Sequence, residues 1–467
     1  MVRGKLVHVM GTQSNAGKTT IAMALCRIFS NMGYKVTPFK AMNMSLNSIS
    51  TADGYEISRS QWLQSKAARI SPDWRVNPVL LKPEGAGTSQ VIFKGKSMGS
   101  RTIRDYGEFM KEHARNVVKS TLMELLDEYD IVIAEGSGSA AEVNLFDRDL
   151  SNTWLTDSCG GIGILVGNIE NGGVFASLVG TKELSQFPGV FKYFIINNMF
   201  GRSDMLRSGI ELVEQRTGMS CLGIIPHTDI KLPGEDSVDY RKDFSGNVGI
   251  IAYPHFENYS DLDPLRAMGI GKYIKKTDDM KHLRCIILPG SKNVYKDLAF
   301  LKENGLDREI INFASRGGKI LGICGGYQML SRKIYDPDGV QMVEKCIDGL
   351  GLLNVDFSYI KNKTVKQVEY KGKLDKRSVH GTGYEIHYGD VIENNERGIF
   401  DDGYPVSSLN TAGNVLGTNV HGLMESEGIF QWITGKKPAS PYNEQLESGI
   451  NELSNHILSS IRLPDIL

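Results

Sequence analysis

The chain has 467 residues, with 53 Lys and Arg against 54 Asp and Glu, a formal charge of -1, and 41% hydrophobic residues. At about 150 residues per domain, this length suggests two or three domains. The near-neutral charge argues against a polybasic nucleic-acid surface, and ordinary hydrophobicity argues against extended disorder.

No apolar run is long enough for a membrane span. Met1-Val2-Arg3-Gly4-Lys5 leads straight into a strand-like segment, without the apolar run and cleavage site of a signal peptide. The six cysteines (Cys26, Cys159, Cys221, Cys285, Cys324 and Cys346) are scattered and form no C-x-x-C pair. A reducing, cytoplasmic setting is expected.

In chain order, Leu6–Met10 reads as a buried strand. Thr19–Met32 carries apolar residues at Ile21, Ala24, Leu25, Ile28 and Met32, which is helical spacing. Further apolar runs follow at Ile131–Ala134, Ile162–Val166, Phe194–Ile196 and Leu222–Ile225. Strands of this kind alternating with helices predict a parallel sheet covered on both faces. The polar stretch Asp229–Asn247 interrupts the pattern, and a second α/β series begins at Val248. The expected division is a domain over 1–230, a linker over 231–246 and a second domain over 247–467.

Gly11-Thr12-Gln13-Ser14-Asn15-Ala16-Gly17-Lys18-Thr19-Thr20 follows a strand and opens a helix, the context a phosphate-binding loop requires. Backbone N–H groups and the helix N-terminus would hold phosphate oxygens. Lys18 would reach the β- and γ-phosphates, and the Thr19 hydroxyl would bind Mg2+. The usual first glycine is displaced by one, from position 12 to Gly11. Gly11, Thr12, Asn15, Ala16, Gly17, Lys18, Thr19 and Thr20 are therefore expected to bind ATP. Glu135, at the end of the Ile131–Ala134 run, is the expected acidic partner of the Mg2+, because strand C-termini face the ligand crevice. Asp53, in Thr51-Ala52-Asp53-Gly54, is a second candidate.

In the second half, the apolar run Lys319–Ile323 leads into Cys324-Gly325-Gly326, and a helix follows. A sharp strand-to-helix turn of this kind exposes a nucleophile, and the helix N-terminus favours a thiolate. The Gly325 N–H would serve as one oxyanion donor. The loop Pro289-Gly290-Ser291 would supply a second, at Gly290. The thiol needs a base. His421, in Gly417-Thr418-Asn419-Val420-His421-Gly422, follows a strand and is the expected one. The other histidines lack such a setting, apart from His387.

Together, these sites resemble those of the cobyric acid synthase family, glutamine-hydrolysing amidases of the cobalamin pathway. The resemblance covers nearly the whole chain. It rests on Gly11–Thr20, the run from Pro38 to Ser48, the run from Asn77 to Pro83, Glu142-Val143-Asn144-Leu145, and the run from Gly172 to Leu178. In the second half it rests on Leu288–Asn293, the Cys324 turn, Gly383-Tyr384-Glu385-Ile386-His387 and the His421 segment. The first half is also similar to dethiobiotin synthetase, which activates a carboxyl group with ATP. The implied architecture is α/β throughout: a P-loop NTPase-type parallel sheet domain, then a class I glutamine amidotransferase-like α/β domain.

The resemblance implies that Cys324 attacks the glutamine amide and releases ammonia, forming a glutamyl thioester. The first domain would phosphorylate a carboxylate of adenosylcobyrinic acid a,c-diamide, and ammonia would displace the phosphate. Repetition at the b, d, e and g carboxylates would give adenosylcobyric acid. The partners implied are a corrinoid, L-glutamine and ATP, with no nucleic acid and no membrane; a homo-oligomer is left open. Leu46 and Asp149 are implied to face the substrate, and Asn197 matches an asparagine that would read adenine. Two segments depart from the family pattern and bear on substrate identity. Asn168-Ile169-Glu170-Asn171-Gly172-Gly173 replaces Asp-Ile-Asp-Arg-Gly-Gly, and Asn197-Asn198-Met199-Phe200-Gly201 replaces Asn-Lys-Phe-Arg-Gly. Ordinary class I amidotransferases place a Glu two residues after the His, where this chain has Leu423. Glu425 as a substitute and a Cys–His dyad without a third member both stay open. The competing readings are a sister amidase making a,c-diamides and a P-loop regulatory ATPase.

Overall fold

The computed structural model describes residues 4–85, 87–109, 113–230, 232–233, 246–342 and 344–463. The chain forms two compact units. One comprises Met1–Ser45, Glu56–Leu232 and Leu446–Leu467; the other comprises Leu46–Tyr55 and Pro233–Gln445.

The first unit is built on six parallel strands: β1 (Lys5–Gly11), β2 (Val36–Phe39), β3 (Ile131–Glu135), β4 (Ile162–Asn168), β5 (Phe191–Met199) and β6 (Ser220–Pro226), in the order β6-β5-β4-β1-β3-β2. The middle strands are buried along most of their length, which is why they read as continuous apolar runs. Strand order reverses around β1, where open α/β sheets place their ligands. Helix α1 (Lys18–Asn31) starts there.

The second unit repeats the principle with β7 (Val248–Ile251), β8 (Lys272–Ile274), β9 (Cys285–Leu288), β10 (Lys319–Ile323), β11 (Ser407–Leu409) and β12 (Val415–Thr418), in the order β8-β7-β9-β10-β12-β11. All pairs are parallel except β11 with β12. Helix α2 (Gly325–Leu330) follows β10. A long antiparallel pair, Val355–Leu374 with Arg377–Asn394, stands beside this sheet.

The units differ from a single cut near residue 240 in two places. Leu46–Tyr55 packs with the second unit. The Asn258 N–H donates to the Leu46 carbonyl, and Gln367 Nε2 donates to the Ser50 carbonyl. Conversely, helix α3 (Tyr442–Ser460) crosses back, and from Leu446 on it belongs to the first unit. Arg27 on α1, buried, donates to Glu447 at 2.9 Å and to Asn451 at 2.9 Å, and Gly223 bridges Ile461. Most of the expected linker over 231–246 lies outside the described residues.

Candidate functional site

The first site lies at the carboxyl end of β1. Gly17 adopts φ +101°, and a Cβ there would stand 2.1 Å from Asn197 Nδ2, so only glycine fits. Lys18 is buried; its Nζ donates to the carbonyls of Gln13 (2.9 Å) and Gly138 (2.8 Å), curling the loop around it. The Thr12 N–H donates to the Val166 carbonyl, and Asn15 takes φ +58°. Gly11, Ala16 and Thr20 complete the strand–loop–helix turn.

Glu135, at the end of β3, is buried and lies against this loop. Thr19 Oγ1 donates to its Oε1 at 2.6 Å, Lys40 Nζ donates to the same oxygen at 2.7 Å, and Gln64 Nε2 donates to Oε2. Lys40 and Gln64 carried no role in the sequence reading. A buried carboxylate needs such partners.

A hydroxyl and a carboxylate oxygen converging in this way are hard donors that suit Mg2+, which characteristically takes few protein ligands and completes its shell with phosphate and water. No group of three or more His, Cys, Asp or Glu able to hold a metal occurs among the described residues. Asp53 lies on an exposed turn in the segment that packs with the second unit.

Asn197 Nδ2 donates to the Ala16 carbonyl at 3.0 Å, so this amide braces the loop. Asn168 Nδ2 donates to the Asn15 carbonyl at 3.3 Å, a bond that an Asp at this position could not make. Asp149 Oδ1 accepts from the Ser151 N–H at 2.8 Å and from Asn152 Nδ2 at 3.3 Å, just before the helix Thr153–Cys159. Burial raises its pKa against those bonds. Leu46 is half-buried, in the segment that packs with the second unit.

The second site gathers loops from four neighbouring strands. Cys324 follows β10, Gly290 follows β9, His421 follows β12, and the turn Tyr259–Leu262 lies beyond β7. Cys324 takes φ +52° and ψ −110°, a strained conformation for a non-glycine residue, directly before α2. A Cβ on Gly325 would meet Ser291 N at 2.7 Å, and one on Gly326 would meet the Leu288 carbonyl oxygen at 1.9 Å. The two glycines thus permit the sharp turn. A Cβ on Gly290 would come 3.4 Å from His421 Cε1.

Cys324 is 4% exposed, yet it lines a narrow pocket with Glu257, Lys292, Gln328, Tyr359 and His387. Cys324 Sγ donates to the Ile386 carbonyl at 3.7 Å, and His421 lies near enough for Cys324 to raise its pKa. His421 Nδ1 donates to Asp261 Oδ2 at 2.7 Å, and the other oxygen of Asp261 accepts from the Gly422 N–H at 2.8 Å. Tyr384 stacks on the imidazole at 5.0 Å between centroids. Burial alone would depress the His421 pKa; the Asp261 carboxylate and Cys324 outweigh it and push it up to about 10.

The third residue on the histidine is therefore Asp261. Glu425 instead accepts from Asn443 Nδ2 at 3.4 Å. A thiol, an imidazole and a carboxylate in series are the elements of nucleophile activation.

Two family models match the chain. A CobQ/CobB/MinD/ParA nucleotide binding domain covers residues 7–237, and a CobB/CobQ-like glutamine amidotransferase domain covers residues 247–429. A probable cobyric acid synthase of Picrophilus torridus is 45% identical over 99% of this chain and 98% of its own length. The chain belongs to the cobyric acid synthase family. The probable cobyric acid synthase of Thermoplasma acidophilum is 44% identical, again over 99% of this chain and 98% of its own length, and the cobyric acid synthase of Clostridium kluyveri is 36% identical over 98% and 97%. As a member of the cobyric acid synthase family with both domains, the chain is a glutamine-dependent amidating ligase with an ATP-binding domain. No helix among the described residues is long and apolar enough to cross a membrane.

Proposed function

We propose that this protein amidates the b, d, e and g carboxylates of adenosylcobyrinic acid a,c-diamide, in the cytoplasm, by way of acyl phosphates and ammonia drawn from glutamine. The observation that carries this reading is the coexistence of a strained Cys324 backed by His421 and Asp261 with a P-loop whose Thr19 meets a buried Glu135.

A carboxylate is a poor electrophile, and phosphorylation converts it into an acyl phosphate. Phosphoryl transfer needs mainly positioning and charge neutralisation. Lys18, once its bonds to the Gln13 and Gly138 carbonyls are exchanged for phosphate oxygens, would supply the charge. Thr19 and Glu135 would hold Mg2+, which neutralises the β- and γ-oxygens when bound. Lys40 and Gln64 keep the carboxylate aimed at the loop. Asn197 shapes the loop by its bond to Ala16, and this supports a positioning part better than the reading of adenine.

In the second unit, His421 takes the Cys324 proton and the sulfur attacks the glutamine carbonyl carbon. The amide nitrogen leaves as ammonia, carrying the proton returned by His421, and water then cleaves the thioester. The Gly325 N–H, at the start of α2, and the Gly290–Ser291 loop beside it are the oxyanion donors of this scheme.

The test is Cys324→Ala. Glutamine-dependent amidation is expected to vanish while ATP-dependent amidation fed by ammonium continues. Intact glutamine use by this variant would remove the thiol from the scheme.

A further inference from the structure

One turn touches both nitrogens of the catalytic imidazole. Asn258 opens the turn Tyr259–Leu262, is fully buried, and sits at φ +54°, a region that Asn tolerates. Asp261 takes Nδ1, and Asn258 Nδ2 lies 3.2 Å from His421 Nε2. The other end of the Asn258 amide is fixed by the segment Leu46–Tyr55. The Ser48 N–H donates to Asn258 Oδ1 at 3.2 Å, the Asn258 N–H donates to the Leu46 carbonyl, and the Ser260 N–H donates to Asn47 Oδ1.

A backbone N–H only donates, so the amide oxygen must face Ser48 and the amide nitrogen must face the ring. An amide nitrogen has no acceptor capacity, so Nε2 must accept from it. That bond suits the neutral ring, with its single proton on Nδ1. The imidazolium formed when Cys324 gives up its proton carries hydrogen on both nitrogens, and its Nε2–H would point at a donor. Asp261 thus draws the ring towards imidazolium while the amide nitrogen opposes it. The groups around the ring are Asp261 at Nδ1, Cys324 and the stacked Tyr384, with Glu257 and Glu425 on flanking loops.

We propose that Asn258 is a positioning residue through which the segment Leu46–Tyr55 restrains glutamine hydrolysis. Held by the Ser48 N–H, its amide disfavours the thiolate–imidazolium pair. Once Ser48 withdraws, the amide turns over and presents Oδ1 to Nε2–H. The proton then moves from Cys324 Sγ to Nε2, the sulfur keeps the electron pair, and the other ring proton stays on Nδ1, hydrogen-bonded to the Asp261 carboxylate.

The restraining segment runs directly out of the strand Met42–Met44 of the first unit. The Met42 carbonyl accepts from Ser137 Oγ at 2.7 Å, in the loop whose Gly138 carbonyl accepts from Lys18. The restraining segment thus continues the chain from a strand that is hydrogen-bonded to the loop beside Lys18.

This inference rests on the reading of Cys324 and His421 as the glutaminase pair, and the experiment separates the two. The full-length protein, without ATP or corrinoid, is alkylated with iodoacetamide across pH, and the Cys324 peptide is quantified by mass spectrometry. Asn258→Gly, which keeps the left-handed backbone unstrained, removes the opposing donor; Asn258→Asp offers an acceptor in its place. Both are expected to lower the alkylation midpoint by about half to one pH unit. Both should also raise ATP-independent glutamine hydrolysis several-fold, whereas a merely structural role would lower it.

An unmoved or raised midpoint overturns the proposal. Should Asn258→Gly fail to fold, Asn258→Asp, which keeps the side-chain volume, decides by the same two readings. Covalent labelling of wild-type Cys324 by 6-diazo-5-oxonorleucine, a glutamine analogue, reports on the underlying reading. Labelling with an unmoved midpoint sinks the restraint alone, and absence of labelling sinks both.

Discussion

Asp261 fixes the proton of His421 on Nδ1, which leaves Nε2 as the ring's acceptor. Asp261→Asn would replace an obligatory acceptor by an amide and scramble that tautomer. Steady-state glutaminase assays are expected to show kcat lowered by on the order of 10^3- to 10^4-fold, with KM little changed and ammonium-fed amidation intact. Retention of near-wild-type kcat would remove Asp261 from the site. The same pair leaves a mark on stability. The folded pKa of His421 is raised from 6.5 to about 10 by Asp261 and Cys324 despite burial. The stabilisation is therefore complete below about pH 6.5 and is lost as pH rises through about 10. Thermal melts between pH 6 and 10 should fall more steeply for wild type than for Asp261→Asn; parallel falls would contradict the assignment. The sequence singles out Cys324 and His421 because each follows an apolar strand and has glycine beside it, a local signal. Asp261 stands 160 residues from its histidine, in a turn without motif, and only folding joins them.

At the scale of elements, the P-loop depends on Gly17. Gly17→Ala would set a methyl against Asn197 Nδ2 at a φ of +101°. About 1–3 kcal/mol of local strain follows. Calorimetric ATP titration is then expected to show affinity reduced by about tenfold to a hundredfold, and unchanged affinity would contradict the loop's role. Helix α3 buries Leu446, Ile450, Leu453 and Ile457 at i, i+4, i+7 and i+11, with Arg27 paired to its Glu447. Ile450→Ala should cost about 2–5 kcal/mol, read as a lower unfolding midpoint that ATP partly restores. If ATP gives no protection, the helix does not serve the nucleotide-binding unit. The parallel strands of the two sheets were legible because strands buried on both faces must be apolar throughout. The hairpin Val355–Leu374 with Arg377–Asn394 was not, since its exposed half mixes Lys, Glu and Gly and shows no such run. The return of α3 to the first unit was equally hidden, because sequence order says nothing of which core an amphipathic helix covers.

For the molecule as a whole, one chain carries a glutamine amidotransferase domain and an ATP-binding domain, and free ammonia is mostly ammonium at neutral pH. A sheltered transfer predicts that nitrogen from labelled glutamine enters the product in preference to unlabelled external ammonium; statistical mixing of the two would count against it. The measurement that bears most directly on the proposed reaction is mass spectrometry of the corrinoid product. The protein is incubated with ATP, Mg2+, glutamine and adenosylcobyrinic acid a,c-diamide. Four successive acid-to-amide mass steps, lost in Cys324→Ala with glutamine and restored with ammonium, are predicted. A product that gains no amide from this acceptor, while the a,c-unamidated precursor gains two, would contradict the account.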